Sequence, residues 1–219
     1  MILLAIDTST SSGSIALCTT NPDYSDMKII YQQYLSTNTT HSETLLPEID
    51  NALKKNKLEK RDLSAVLVSI GPGSFTGLRI GLATAKGICT GLKIPLVPFN
   101  SLEILASNVY GSNQKILSII DARMNEAYVS IFNRDLTIEL PIELRAYEKI
   151  TENLVENYVC IGNVNLVQEA NNLIFALPHQ NIINASSMFS MLKYKAISLD
   201  YNQEIIDNTE PVYIRNSTN

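Results

Sequence analysis

The stretch Ser69 to Leu92, SIGPGSFTGLRIGLATAKGICTGL, constrains the fold more than any other: an apolar run enters a glycine-rich turn and leaves as a helix full of small residues. Six of the nine glycines lie between Gly71 and Gly91, so this is where the backbone has a special task. Gly71, Pro72 and Gly73 read as a tight turn, because glycine reaches positive φ cheaply and proline pre-sets φ. Ser74 is placed to cap the helix that follows. Leu78, Leu82, Ala85, Cys89 and Leu92 recur at four- and three-residue steps and mark its core face. Beside them runs a second stripe, Gly77, Gly81, Thr84, Ile88 and Gly91, with Gly87 nearby. Gly77, Gly81 and Gly87 together cost a helix about 3 kcal/mol relative to alanine. Close approach of another backbone offsets such a cost, and that backbone belongs either to this chain or to another subunit.

The chain has 219 residues, enough for one large domain or two small ones. Its apolar and charged contents, 45% and 18%, are those of a water-soluble protein, and no apolar run approaches the ~20 residues that cross a bilayer. The start, MILLAIDTST, has no basic leading region and reads as a strand, not as a signal peptide. Cys18, Cys89 and Cys160 lie unpaired in apolar segments, which fits a reducing cytoplasm. A net charge of -5 argues against autonomous nucleic-acid binding, which rests on Lys and Arg at phosphates. The one basic cluster, Lys54, Lys55, Lys57, Lys60 and Arg61, is interleaved with Glu59 and Asp62 and reads as a solvated face or as an RNA contact.

Taken in order, Ile2–Ile6 is a strand ending in Asp7, Ser14–Cys18 a returning strand and Met27–Tyr34 a third, with short loops that imply an antiparallel meander. His41–Asn56 is a helix capped by Thr39 or Thr40, which Pro47 should kink or start. Asp62–Ile70 is the strand into the glycine turn, Ile94–Phe99 another, and Leu102–Tyr110 a helix capped by Ser101. Three strands, then helix, strand, helix, strand, helix is the order of a ribonuclease-H-like mixed sheet. After Gly111–Asn113, Ile116–Ile120 again ends in an acid, Asp121, turns, and returns as Ala127–Phe132, which implies an internal duplication with halves at 1–110 and 111–219. Beyond it, Tyr158–Ile161 reads as a strand, Asn165–Leu173 and Met188–Leu199 as helices and Val212–Arg215 as a terminal strand.

The chemistry is sparse. Asp7 before Thr8, Ser9 and Thr10 either caps a turn or forms the first phosphate hairpin of an actin-like ATPase, although such a hairpin generally carries a glycine that this one lacks. Gly71 to Gly77 joins a strand to a helix but has no GK[ST] ending, so Asp7, Thr8, Gly71 and Gly73 are only weak nucleotide candidates. His41 and His179 form no metal-ligand pair, and His41, Ser42 and Glu43 do not face one another on a helix. The segment DARMNEAY, with Asp121, Arg123, Glu126 and Tyr128, is either a pinned hairpin or a lining of the cleft between halves.

The segments ILLAIDTSTSSGSIAL, HSETLLPEID, GPGSFTGLRIGLATAKG, VPFNSLEILA, DARMNEAYVS and PVYIR, in this order from Ile2 to Arg215, make the chain resemble the TsaB (YeaZ) family of tRNA threonylcarbamoyladenosine biosynthesis. The resemblance implies an α/β, duplicated ribonuclease-H-like or actin-like ATPase (ASKHA) fold with a shortened second half. It implies a non-catalytic, cytoplasmic subunit that supports a catalytic paralogue, TsaD, together with the ATPase TsaE, and that meets tRNA only through the complex. TsaD holds its metal with two histidines on a helix whose counterpart here, Asn100–Ala106, reads NSLEILA and has none. No tightly bound cofactor is implied, with ATP or ADP at the partner boundary left open. The family's partner contact carries over to His41, Leu45, Leu46 and Ile49 and to Gly77, Gly81 and Thr84, with a homodimer on the same surface when the partner is missing. On this reading Gly81→Leu weakens assembly and spares the fold. The rival functions are a stand-alone ATP-dependent phosphotransferase of the same fold, which needs Asp121 as its acid, and a peptidase, which lacks ligands.

Overall fold

A computed structural model of the chain describes residues 1–35, 40–167 and 172–214. In the first half, β1 (Ile2–Asp7), β2 (Ser14–Thr19) and β3 (Lys28–Tyr34) form the expected meander, followed by α1 (His41–Lys55), β4 (Leu63–Ser69), α2 (Phe75–Leu92), β5 (Leu96–Phe99) and α3 (Ser101–Ser107). The sheet order is β3-β2-β1-β4-β5, antiparallel through β3, β2 and β1 and parallel through β1, β4 and β5. The second half repeats the pattern with β6 (Lys115–Arg123), β7 (Glu126–Phe132), β8 (Ile138–Ala146), β9 (Tyr158–Gly162) and β10 (Leu173–Phe175), ordered β10-β9-β6-β7-β8. Each strand of the second sheet takes the place of its counterpart five positions earlier, with the same sense of pairing. This is a duplicated, actin-like ribonuclease-H fold.

The second copy is the shorter one. Between β8 and β9 a 3-10 turn, Tyr147–Lys149, stands where α1 stands in the first copy. Between β9 and β10 the described residues hold only another such turn, Val164–Leu166, where α2 would be. The chain then adds α4 (Ser187–Tyr194), the counterpart of α3, and α5 (Gln203–Asn208).

Strand alternation explains the layers. Along β1, Leu3 and Ala5 face a central core shared by both sheets through α3 and α4, whereas Leu4 and Ile6 face α1 and α2. α1 opens with half of a capping box, Thr40 N–H donating to Glu43 Oε2 at 3.1 Å, and runs through Pro47 without ending. Ser74 caps α2 as its position suggests, its Oγ accepting from Gly77 N at 3.2 Å.

Several boundaries differ from the sequence reading. α3 is capped by Asn100, whose Oδ1 accepts from Glu103 N at 2.7 Å; Ser101 is already inside the helix. Leu173 lies in β10 and not at the end of a helix from Asn165, and residues 168–171 of that expected helix lie outside the described residues. α4 stops at Tyr194, short of Leu199. In place of the expected terminal strand, Pro211–Ile214 is irregular and joins the sheet by one bond, Val212 N to Ile70 O at 2.7 Å; Arg215 lies outside the described residues. Neither β8 nor α5 was expected.

Candidate partner-docking groove and the closed hairpin beside it

The first candidate position, Asp7, sits at the end of β1 with no exposed surface. Its Oδ1 accepts from Ser9 N at 3.1 Å and from Ser9 Oγ at 2.7 Å, which closes the turn that follows. Its Oδ2 is buried with no hydrogen-bond partner among the described residues, and Ser69 Oγ, on the neighbouring strand, has none either. Burial pushes the Asp7 carboxyl above its ordinary range, with the Ser9 hydroxyl and N–H pulling the other way.

The turn after Asp7 is docked onto α2. Ser9 O accepts from Ser74 N at 2.7 Å. A Cβ at Gly73 would fall within 3.0 Å of Ser9 O, one at Gly77 within 3.0 Å of Thr8 O, and one at Gly81 within 3.0 Å of Thr8 Oγ1. The helix glycines therefore admit a hairpin of the same chain. Gly77 and Gly81 are buried under it, which removes them from the expected partner surface. A side chain at Gly81 would meet Thr8 Oγ1, so Gly81→Leu bears on the packing of the fold as well as on any assembly. Asp7, Thr8, Gly71 and Gly73 do come together at the C-terminal ends of β1 and β4. They form a packed joint, with the Ser9 carbonyl already bonded to α2, and not an open phosphate cradle. Gly71 is needed for its φ of 103°.

His41 also faces inward. Its Nε2 lies 2.8 Å from Thr10 O and fastens the start of α1 to the same hairpin. Leu45 is 1% exposed and belongs to the core beneath α1. Of the seven expected partner-contact residues, His41, Leu45, Gly77 and Gly81 thus serve the interior.

The other three, Leu46, Ile49 and Thr84, line a groove of about 890 Å³ between α1 and α2. Pro47, Ala83, Gly87, Ile88 and Gly91 complete its walls. A Cβ at Gly87 or Gly91 would meet nothing within 4 Å, so these glycines keep the groove open. Leu46 stands on its rim with 56% of its surface exposed. Along α2 the exposed ridge is Phe75, Arg79, Ala83, Gly87 and Gly91, spaced by four, bulky at the start and flat at the end. Such flat i, i+4 ridges receive the ridges of another helix. Sequence reasoning named Gly91 in the stripe and Gly87 beside it but missed Ala83; the signal that separates them from Gly77 and Gly81 is phase, since 83, 87 and 91 lie two i, i+4 ridges away, with Thr84 and Ile88 between.

At the bulky end the chain's last described residues return. Tyr213 packs on Phe75 with ring centroids 5.1 Å apart, the Arg79 guanidinium lies 4.1 Å from the Phe75 centroid, and Arg79 Nε donates to Tyr213 Oη at 3.2 Å. In the second half, the DARMNEAY segment is a pinned hairpin. Asp121 Oδ1 accepts from Arg123 N at 2.7 Å and from Tyr147 Oη at 2.8 Å, and holds Arg123, Met124 and Asn125 at positive φ. Among the described residues no group of three or more His, Cys, Asp or Glu is placed to hold a metal ion, and no helix is long and apolar enough to cross a membrane.

The topology and the groove define a duplicated ribonuclease-H-like protein whose first half exposes a largely apolar groove between two helices. Residues 35–209 match the family model described as TsaD, tRNA N6-adenosine threonylcarbamoyltransferase. The chain is 36% identical over 132 residues to the tRNA threonylcarbamoyladenosine biosynthesis protein TsaB of Haemophilus influenzae, covering 59% of this chain and 53% of that one. It is 29% identical over 224 residues to TsaB of Buchnera aphidicola subsp. Baizongia pistaciae, covering 97% of both. The chain spans about half the length of the first relatives it matches, and nearly all of the Buchnera protein. Among solved structures, YeaZ from Pseudomonas aeruginosa superposes with a TM-score of 0.75 at 22% identity over 97% of this chain and 99% of that one, a likeness of fold. The chain belongs to the TsaB (YeaZ) family.

Proposed function

We propose that this chain is a non-catalytic subunit in the threonylcarbamoylation of tRNA, seating a TsaD-type catalytic paralogue on the α1–α2 groove. Its relatives carry names from threonylcarbamoyladenosine biosynthesis, which supports the pathway. The observation that carries the docking role is the groove itself: about 890 Å³, largely apolar, floored by Gly87 and Gly91 and rimmed by an exposed leucine. Exposed apolar surface of this kind marks interaction sites. The TsaE-type ATPase joins the assembly in this reading, ATP or ADP has its place at the subunit boundary, and a second copy of this chain occupies the groove when the paralogue is missing. The compartment is the cytoplasm.

A stand-alone phosphotransferase is the weaker reading, because its first hairpin is closed, with Asp7 buried and turned into its own loop, and its candidate acid, Asp121, is taken up in pinning its own hairpin. The test is modification of a tRNA transcript in a mixture of TsaD-type and TsaE-type proteins, ATP and a threonylcarbamoyl-adenylate source, with this chain present, omitted or alone. Modification is expected only with the full mixture. Ala83→Arg, on the exposed ridge, is expected to weaken binding of the paralogue at least about tenfold while leaving the fold intact. Full modification without this chain, or ATP turnover by the chain alone, would overturn the proposal.

A further inference from the structure

The basic cluster singled out in the sequence gains neighbours in the fold. Register places the start of β3 beside the end of β2, which pairs with the start of β1, and the start of β1 beside that of β4. The connection from α1 into β4 and the connection from α2 into β5 reach that same end of the sheet. Lys28 at the start of β3, Lys54, Lys55, Lys57, Lys60 and Arg61 before β4, and Lys93 at the end of α2 therefore crowd one pole of the first half. All seven are exposed. They are seven of the chain's seventeen Lys and Arg, in a chain whose net charge is -5.

The seven cations outnumber the five acids beside them, Asp23, Asp26, Asp50, Glu59 and Asp62. Asp50 takes both Lys54 and Lys60, at 2.6 and 3.7 Å, and Glu59 takes Arg61 at 2.9 Å. Asp23, Asp26 and Asp62 are held by backbone N–H groups of their own loops. Lys55 lies 5.5 Å from the centroid of the Tyr31 ring. Lys28, Lys57 and Lys93 make no ion pair among the described residues. The pole also opens onto the groove, whose lower end is lined by Asp50, Lys60 and Leu92.

We propose that this pole is a contact for the phosphodiester backbone of the tRNA substrate, continuous with the seat of the catalytic partner, so that bound RNA crosses the subunit boundary. The proposal rests on the reading given under Proposed function and adds a surface to it. A local concentration of cations on an acidic protein attracts a polyanion within a Debye length and leaves the rest of the surface repulsive, which orients what binds. Lysines without ion pairs give backbone contacts that position a nucleic acid and carry no sequence information.

The test uses the assembled complex of this chain with its TsaD-type partner and an unmodified tRNA transcript, with binding measured as a function of salt. The variant Lys28→Gln, Lys57→Gln, Lys93→Gln touches no groove residue. Its complex is expected to form with unchanged affinity, to bind tRNA about tenfold more weakly, and to show a slope of log affinity against log salt reduced by about 2 to 3. A control of equal charge in the second half, Arg123→Gln, Arg134→Gln, Lys149→Gln, is expected to leave the slope unchanged. Unaltered tRNA binding by the first variant, equal weakening by both, or loss of the partner from the first variant overturns the proposal, the last by making the pole a protein contact. Failure of the docking reading appears separately, as Ala83→Arg assembling normally.

Discussion

A methyl group added at Gly77 meets the Thr8 carbonyl, and one added at Gly87 meets open space. The two glycines lie ten residues apart on one helix, yet substitution should act in opposite directions. Gly77→Ala is expected to destabilise the fold by about 1 to 3 kcal/mol through overpacking. Gly87→Ala is expected to stabilise it by about 0.8 to 1 kcal/mol, because alanine is the better helix former, while narrowing the groove and weakening partner binding. Denaturant titration of both variants, with partner affinity beside it, checks the pair. Asp7 makes a second prediction at this scale. Its folded pKa is raised by burial above the ordinary 3.8, so the folded state holds the proton more tightly than the unfolded chain. Its contribution to stability is therefore present at acid pH and lost as pH rises from about 3.8 through the folded value. Asp7→Asn should remove that decline, and denaturation of both proteins at acid and neutral pH measures it. The glycines were legible in the sequence as a cost needing compensation. What compensates was not, because residues 8 and 77 are brought together only by the parallel pairing of β1 with β4.

Elements announced themselves where burial was one-sided or complete. β1, β4 and β6 are apolar runs, and α1 and α2 keep helical spacing over fifteen and eighteen residues, so all five were readable. β8 was not, although Ile138, Leu140, Ile142 and Leu144 alternate with polar residues and Pro141. It is an edge strand that pairs only with β7, and proline at an edge hides the signal. α5 is six residues long and buries a single side chain, Ile206, against the α1–α2 layer, too little to leave a period. That economy makes it removable. Ile206→Ala is expected to cost about 2 to 4 kcal/mol locally and to free residues 203–214, including the Tyr213 contact with Phe75. Amide exchange should quicken there while the sheets stay protected; unchanged exchange at 203–214 would show that the strap is held by something other than Ile206. Of the candidate groove, α1 and α2 as the two helices that border it were legible, whereas which of their faces looks outward was not. The stripe of small residues spans three ridges, and only packing tells them apart.

On the scale of the whole molecule, the duplication places two sheets back to back with α3 and α4 between them, and the core there draws on both halves: Leu3, Phe99 and Leu105 from the first, Phe132, Met188 and Leu192 from the second. The boundary near Gly111 is thus a turn in the chain, and the layer on either side of it is shared. Residues 1–110 expressed alone would expose the face of α3 that meets α4, so the fragment is expected to lose cooperative unfolding, and the intact chain to melt in one transition that Met188→Ala shifts as a unit by about 2 to 5 kcal/mol. Two separate transitions by calorimetry would contradict this. The absence of room between α2 and the Thr8–Ser9 turn has a mechanical meaning as well. The Ser9 and Thr8 carbonyls against Gly73 and Gly77, and the Thr8 hydroxyl against Gly81, leave little play, so the helix moves only by carrying the turn with it. A load applied at the groove is passed to the turn after Asp7, as a rigid key transmits torque from its bow to its bit.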